Sequence, residues 1–182
     1  SVAPLERLAD TFAPLASRGF RRKLRHSILE ERIQSSLDLQ RGEIRRKEIA
    51  VKVPAGETRV AVDPGELDAI LINLITNAAY WIGQVQSSKP RRLEFVCHRE
   101  AGKDRVAVEV HDNGPGVPPE RRAELFSALV TTKPDGNGLG LFSVKACATG
   151  LGGRVDVSES PLGGALFRIH LPRSTVRAAA MA

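Results

Sequence analysis

The chain has 182 residues, 42% hydrophobic and 26% charged, which suits one ordinary domain with a core plus a short flanking element and is too apolar for a disordered chain. No apolar run reaches the roughly 18 residues of a spanning helix, and the start Ser-Val-Ala-Pro-Leu-Glu-Arg lacks the basic and apolar regions of a signal peptide. The net charge of +6 is concentrated in Arg18, Arg21, Arg22, Lys23 and Arg25 and again in Arg41, Arg45, Arg46 and Lys47; with only Phe20 interleaved, these clusters read as solvated helix faces, and nucleic acid is a minor candidate partner.

Residues 1–44 read as an N-terminal helical segment, a remnant of or linker from an upstream helical domain, and the missing initiator Met reads as the cut end of a longer protein. Within it, 4–17 carries Leu5, Leu8, Phe12 and Leu15 on one helical face, and 22–41 is an amphipathic helix with Leu24, Ile28, Ile33, Leu37 and Leu39. Strands are expected at 48–53 and 58–62. Asp63-Pro64 then opens a helix to about Ile82, with Asp63 as N-cap, and this helix is apolar nearly all round.

Two strands at 92–99 and 104–112 flank the turn Ala101-Gly102-Lys103. The stretch 113–138, rich in Gly and Pro, is loop with one short helix near 119–127, and within it 118–137 is expected to form a mobile lid. A helix at 139–149 ends in Gly150, Gly152 and Gly153; strands at 154–159 and 165–171 follow, and 173–182 is a flexible tail. Helices mixed with hairpin-compatible strands predict an α+β fold for residues 45–172. It should be a two-layer α/β sandwich whose mixed, mostly antiparallel sheet carries helices on one face. Cys97 and Cys147 have apolar neighbours and no metal-ligand spacing, and read as reduced thiols of a cytoplasmic domain.

Three constellations carry chemistry. Asn73 and Asn77 lie four apart on one face of the apolar helix. Burying two amides without partners is costly; they either satisfy nearby backbone groups or offer carboxamide oxygens to a hard cation such as Mg²⁺. His111-Asp112-Asn113-Gly114-Pro115-Gly116 ends a strand on a carboxylate and turns through two glycines. That is either a plain turn or a close approach to a flat ligand whose amino group the carboxylate accepts. Gly136-Asn137-Gly138-Leu139-Gly140-Leu141 leads straight into a helix, where free N–H groups and the helix dipole suit phosphate. It lacks the Gly-Lys-Ser/Thr ending of a P-loop and follows a loop rather than a strand.

In order and spacing, these stretches resemble the ATP-binding catalytic domain of sensor histidine kinases, of the Bergerat or GHKL superfamily. Asn73 to Ala78 is similar to the N box, Asp112 to Gly116 to the G1 box, Leu125-Phe126 with Thr131-Thr132-Lys133 to the F box and lid, and Gly136 to Leu141 to the G2 box. Gly152-Gly153-Arg154-Val155 and Phe167 to Pro172 match the family's usual ending. The resemblance implies the Bergerat sandwich with ATP and Mg²⁺ as ligands. It implies Asn77 and then Asn73 on the metal, Asp112 on the adenine amino group, and Gly114 and Gly116 beside the purine. The phosphates fall to Thr132, Lys133, Gly136, Gly138, Leu139 and Gly140. Asn73, Asn77 and Lys133 are thereby the candidate catalytic residues.

The match has departures. Ala165 stands where many relatives carry a Thr that supports adenine recognition, Leu129 replaces a common aromatic, and Tyr80-Trp81 is an unusual pair, read as packing at the helix end with stacking near the base as the alternative. Hydrolysing relatives carry a Glu four residues before the metal Asn. Here that position is Asn73, and a carboxamide accepts no proton at neutral pH. The resemblance therefore implies γ-phosphate transfer to a histidine on a separate dimerisation and phosphoacceptor domain upstream, with a response regulator as indirect partner. The alternative is a nucleotide-gated binding module or ATPase without histidine phosphorylation. Of four histidines only His26 falls in a predicted helix, and Ser27 rather than an acid follows it. The chain alone is therefore not expected to phosphorylate itself.

Overall fold

The computed structural model describes residues 26–86, 88–129, 133–134, 136 and 138–174. The elements run β1 (Ser27–Ile28), α1 (Leu29–Leu39), α2 (Arg41–Arg46), β2 (Ile49–Lys52), β3 (Arg59–Val60), α3 (Pro64–Gln84), β4 (Arg91–Arg99), β5 (Arg105–Asp112), α4 (Gly140–Gly150), β6 (Arg154–Glu159) and β7 (Ala165–Pro172). Asp63 starts α3 as its sequence demands: Oδ1 accepts the N–H of Gly65 at 2.9 Å and of Glu66 at 3.3 Å, with Pro64 in the first turn where no N–H is needed. Such a cap contributes about 1 kcal/mol.

The main sheet has the order β2-β4-β5-β7-β6. β2 and β4 are parallel, with α3 in the crossover between them, and the other neighbours are antiparallel. β1 and β3 pair in a separate small ribbon. Alternation along the strands sends Val106, Val108 and Val110 of β5 and Phe167, Ile169 and Leu171 of β7 into the core, where they meet Leu67, Ile70, Leu71, Leu74 and Ile75 of α3. The opposite sheet face carries polar groups instead: Arg168 of β7 pairs with Glu109 of β5, and hydrogen bonds join His111 of β5 to Glu109 and His170 of β7 to Asp156 of β6. The expected α+β sandwich with helices on one face is the observed one.

Several expectations need correcting. The helix expected over 22–41 starts at Leu29; residues 22–25 lie outside the described residues, and Ile28 is extended because it pairs with Arg59. The buried stripe is therefore Leu29, Ile33 and Leu37, while Leu39 is 71% exposed. Glu30 anchors this start, taking the N–H and hydroxyl of Thr58 at 2.8 and 2.7 Å. Leu29, Ile33 and Leu37 of α1 share the core of α3. The helix expected at 4–17 lies outside the described residues. The tail begins later than 173: the N–H of Arg173 donates to the carbonyl of Asp104 and that of Ser174 to Arg59, and Ser174 is buried. The short helix near 119–127 reduces to a 3-10 turn at Pro119–Arg121, followed by further turns.

The second basic cluster is partly neutralised by its own neighbours, Arg41 by Asp38 at 2.6 Å and Arg46 by Glu43 at 2.7 Å. This favours the solvated helix face over a nucleic-acid surface. Both cysteines are free thiols, and burial, helped by the charge of Glu30, pushes Cys97 up to about 12. No helix among the described residues is long and apolar enough to cross a membrane.

Candidate functional site

β5 ends on Asp112 beside the C-terminal half of α3, and the loop after it turns back to enclose a cleft of about 230 Å³. Asp112 is 3% exposed. Its Oδ1 accepts two backbone N–H groups, from Gly114 at 2.8 Å and Ala165 at 3.0 Å. Among the described residues no hydrogen bond engages Oδ2, which leaves that oxygen for the cleft. Burial pushes the carboxyl above the usual Asp range even though the two backbone donors pull the other way.

Glycine is required around this carboxylate. A Cβ on Gly164 would overlap Asp112 Oδ1 and stand 2.5 Å from the nitrogen of Gly114. A Cβ on Gly114 would crowd Asp112 Oδ1 at 3.0 Å. Gly116 turns the loop at φ 74°. The rest of the wall is mostly apolar, from Pro115, Val117, Leu125, Leu141, Phe167 and the ring of Trp81. Trp81 also meets the Tyr80 ring edge-on at 5.0 Å, so its place on the cleft fits the alternative read from sequence, stacking near the base, without excluding packing at the helix end. Arg121, Leu125, Leu141, Ala165 and Phe167 also line the cleft. Sequence reasoning gave none of them a binding role, although Leu125 and Leu141 fell in stretches that resemble boxes and Ala165 was noted at a position tied to adenine recognition.

Asn77 lines the same cleft one turn before Trp81. Asn73 sits one turn further back, its Nδ2 donating to the Ala69 carbonyl at 2.8 Å, which aims Oδ1 away. That oxygen faces the start of α4, where a Cβ on Gly140 would come within 3.0 Å of it. The α4 N-terminus has no side-chain cap; Leu139 precedes it, buried, and Gly138 turns into it at φ 67°. A helix N-terminus without a side-chain cap is the kind of place where backbone N–H groups donate to anions. Gly136 is half-buried before it. Thr132 lies outside the described residues. Lys133 is not on the cleft wall: its Nζ stands 4.6 Å from the centre of the Tyr80 ring, and burial and then the charge of Lys47 lower its pKa.

Among the described residues no three His, Cys, Asp or Glu side chains gather to hold a metal. The donor set near the cleft is instead two neutral amides, Asn73 and Asn77. That suits a hard cation that arrives with its own phosphate oxygens and waters, and not one bound by protein charge.

Residues 62–175 match the family described as histidine kinase-, DNA gyrase B-, and HSP90-like ATPase. The chain belongs to this ATPase family. A sensor histidine kinase of Salmonella typhimurium, ZraS, is 36% identical over 146 residues, 79% of this chain and 30% of the relative. The sensor protein kinase PilS of Pseudomonas aeruginosa is 30% identical over 142 residues, 78% of this chain and 26% of that protein. The chain thus spans less than a third of these curated relatives. Among solved structures, full-length ShkA in complex with AMPPNP superposes with TM-score 0.77 at 28% identity over 97% of this chain and 37% of that one. The mycobacterial sensor histidine kinase MprB gives 0.70 at 26% identity, over 85% of this chain and all of that one. Of the stretches that resemble the family's boxes, Asn77, Asp112, Gly116, Leu125 and Leu141 line the cleft.

Proposed function

We propose that this domain binds Mg-ATP and donates the γ-phosphoryl group to a histidine on a phosphoacceptor domain elsewhere in the parent protein, on the cytoplasmic side. A response regulator would take the group in turn. The observation that carries the reading is Asp112: a buried carboxylate whose one oxygen is saturated by backbone donors while the other is left for an apolar, glycine-bounded cleft. Such an oxygen suits the 6-amino group of adenine, and the walls around it suit a purine face.

In this reading Asp112 accepts from the adenine amino group, and Gly114 and Gly116 let the ring lie against the backbone. Trp81, Val117, Leu125 and Phe167 exclude water from it. Asn77, with Asn73 behind it, supplies oxygens to a magnesium ion, which neutralises phosphate charge when bound. Gly138, Leu139 and Gly140 bring the phosphates to the α4 N-terminus, Gly136 holds the loop through its own N–H on the Lys133 carbonyl at 3.1 Å, and Thr132 and Lys133 add side-chain donors. Asn73 holds no proton-accepting group over the γ-phosphate, so water is a poor acceptor here and an incoming histidine the better one. The family match and the kinase relatives support this over a module that merely closes on nucleotide.

Calorimetric titration with ATP and Mg²⁺ tests the assignment, comparing the native protein with Asn77→Asp and Asp112→Asn. Asp112→Asn should lose binding most clearly, because its amide turns a donor toward the adenine amino group. Unchanged affinity in that variant would sink the adenine assignment.

A further inference from the structure

On the sheet face away from the cleft, four polar side chains form one connected line. Arg168 Nε donates to Glu109 Oε1 at 2.6 Å, and Glu109 Oε2 meets His111 Nε2 at 3.0 Å. His111 Nδ1 in turn lies 3.5 Å from Ser160 Oγ. Glu109, His111 and Ser160 are 9%, 8% and 3% exposed, although no helix covers this face among the described residues. Burial would raise the Glu109 carboxyl, but the hydrogen bonds from Arg168 and His111 outweigh it and hold the group below the usual Glu range. An ionised Glu109 accepts from Nε2–H, which leaves Nδ1 as acceptor for the Ser160 hydroxyl proton.

Ser160 opens the turn between β6 and β7. Its Oγ accepts the N–H of Leu162 at 3.1 Å, its N–H donates to the Gly164 carbonyl at 2.9 Å, and its carbonyl accepts from Gly163 at 2.9 Å. The far end of the same turn is Gly164, pressed on Asp112, and Ala165, whose N–H holds Asp112 Oδ1. His111 and Asp112 are adjacent in β5 and so point to opposite faces. The turn therefore wraps the sheet edge, fixed on one face by His111 and clasping Asp112 on the other.

We propose that Glu109, His111 and Ser160 are positioning residues for base recognition. By fixing the β6–β7 turn they hold the Ala165 N–H on Oδ1 and keep Oδ2 aimed at the 6-amino group of the purine. This rests on the adenine reading above. The line touches nothing at the amide pair or the α4 N-terminus, so its loss acts on the base and not on the phosphates.

The test compares affinity for ATP with that for inosine triphosphate, which carries a carbonyl in place of the 6-amino group, in the native protein, Ser160→Ala, His111→Phe and Ser160→Thr. Native protein should prefer ATP. Ser160→Ala and His111→Phe should cut that preference by about three- to tenfold, the range of one hydrogen bond, with affinity for the inosine nucleotide unchanged. Ser160→Thr, which keeps the hydroxyl, should restore it. In an Asp112→Asn background Ser160→Ala should change nothing further. Native preference retained in Ser160→Ala overturns the positioning role, as does equal weakening for both nucleotides. A native protein that does not discriminate overturns the adenine reading itself.

Discussion

Ala165 donates its backbone N–H to Asp112 across 53 positions of sequence, at 3.0 Å. Position 165 carries no hydroxyl, yet its main chain still orients the carboxylate. Its side chain adds no second polar group to the cleft, so the proposed base recognition rests on Asp112, and that concentrates several measurable consequences on one group.

The first is a pH dependence. Asp112 has a raised pKa, and only its ionised form accepts from an amino group. Nucleotide affinity should be level near neutrality and fall on acidification, starting at higher pH than the roughly 3.9 of an ordinary Asp would give. Stability runs the other way. The folded state holds this proton more tightly than the unfolded chain, so the group's contribution is fully present below the unfolded pKa and is lost as pH rises through the folded one. Without nucleotide, Asp112→Asn should therefore melt no lower than the native protein at pH 7, a gap that narrows toward pH 4. Calorimetric melting across this range checks it, and a variant clearly less stable at pH 7 would contradict it.

Trp81 is the chain's single tryptophan and it lines the cleft. Its fluorescence should change on adding ATP, saturating with the calorimetric affinity. Trp81→Ala should weaken binding about tenfold, as expected for loss of an aromatic wall. Emission that ignores bound nucleotide would put the ring outside the binding face.

Neighbouring glycines should behave differently. A Cβ on Gly153 would overlap the carbonyl oxygen of His170, whereas one on Gly152 meets nothing within 4 Å and suffers only its φ of 77°. Gly152→Ala should cost about 1 kcal/mol, and Gly153→Ala about 2 kcal/mol or more because β7 must shift. Urea unfolding of the two variants measures the difference, and equal costs would refute the crowding argument.

Incubated with γ-labelled ATP and Mg²⁺, this chain should acquire no acid-labile phosphate. His26 is exposed and lies outside any helix, and its Nδ1 meets Ser174 Oγ at 2.6 Å. Among the described residues no carboxylate meets its ring. Stoichiometric label that disappears in His26→Gln would reverse this expectation.

Much of the fold was legible because the signals were local. Asp63-Pro64 marks the start of α3, Gly150, Gly152 and Gly153 mark the end of α4, and period-two alternation gives β4 to β7 within a residue or so. The start of α1 was misread because what decides it is Thr58, whose groups meet Glu30, and pairing across that distance leaves no periodic trace. The site divides in the same way. Asn73, Asn77, Asp112 and the glycines form ordered stretches, whereas the Ala165 N–H, Arg121 and Phe167 reach the cleft only through tertiary folding. Trp81 was read with two alternatives for a related reason: an aromatic at the end of an apolar helix gives no sign in sequence of whether its face meets core or cleft.

Asn73, Asn77 and Trp81 are spaced by four along α3, while Leu67, Ile70, Leu71, Leu74 and Ile75 of the same helix fill the core. Inserting or deleting one residue ahead of position 73 would turn the rest of the helix by about 100°, driving an amide into the core and a leucine into the cleft. The length of α3 is thus frozen from both sides. The β4–β5 turn has room where α3 has none: Gly102 meets no neighbour within 4 Å, and chain length can drift there without either the core or the ligand registering it.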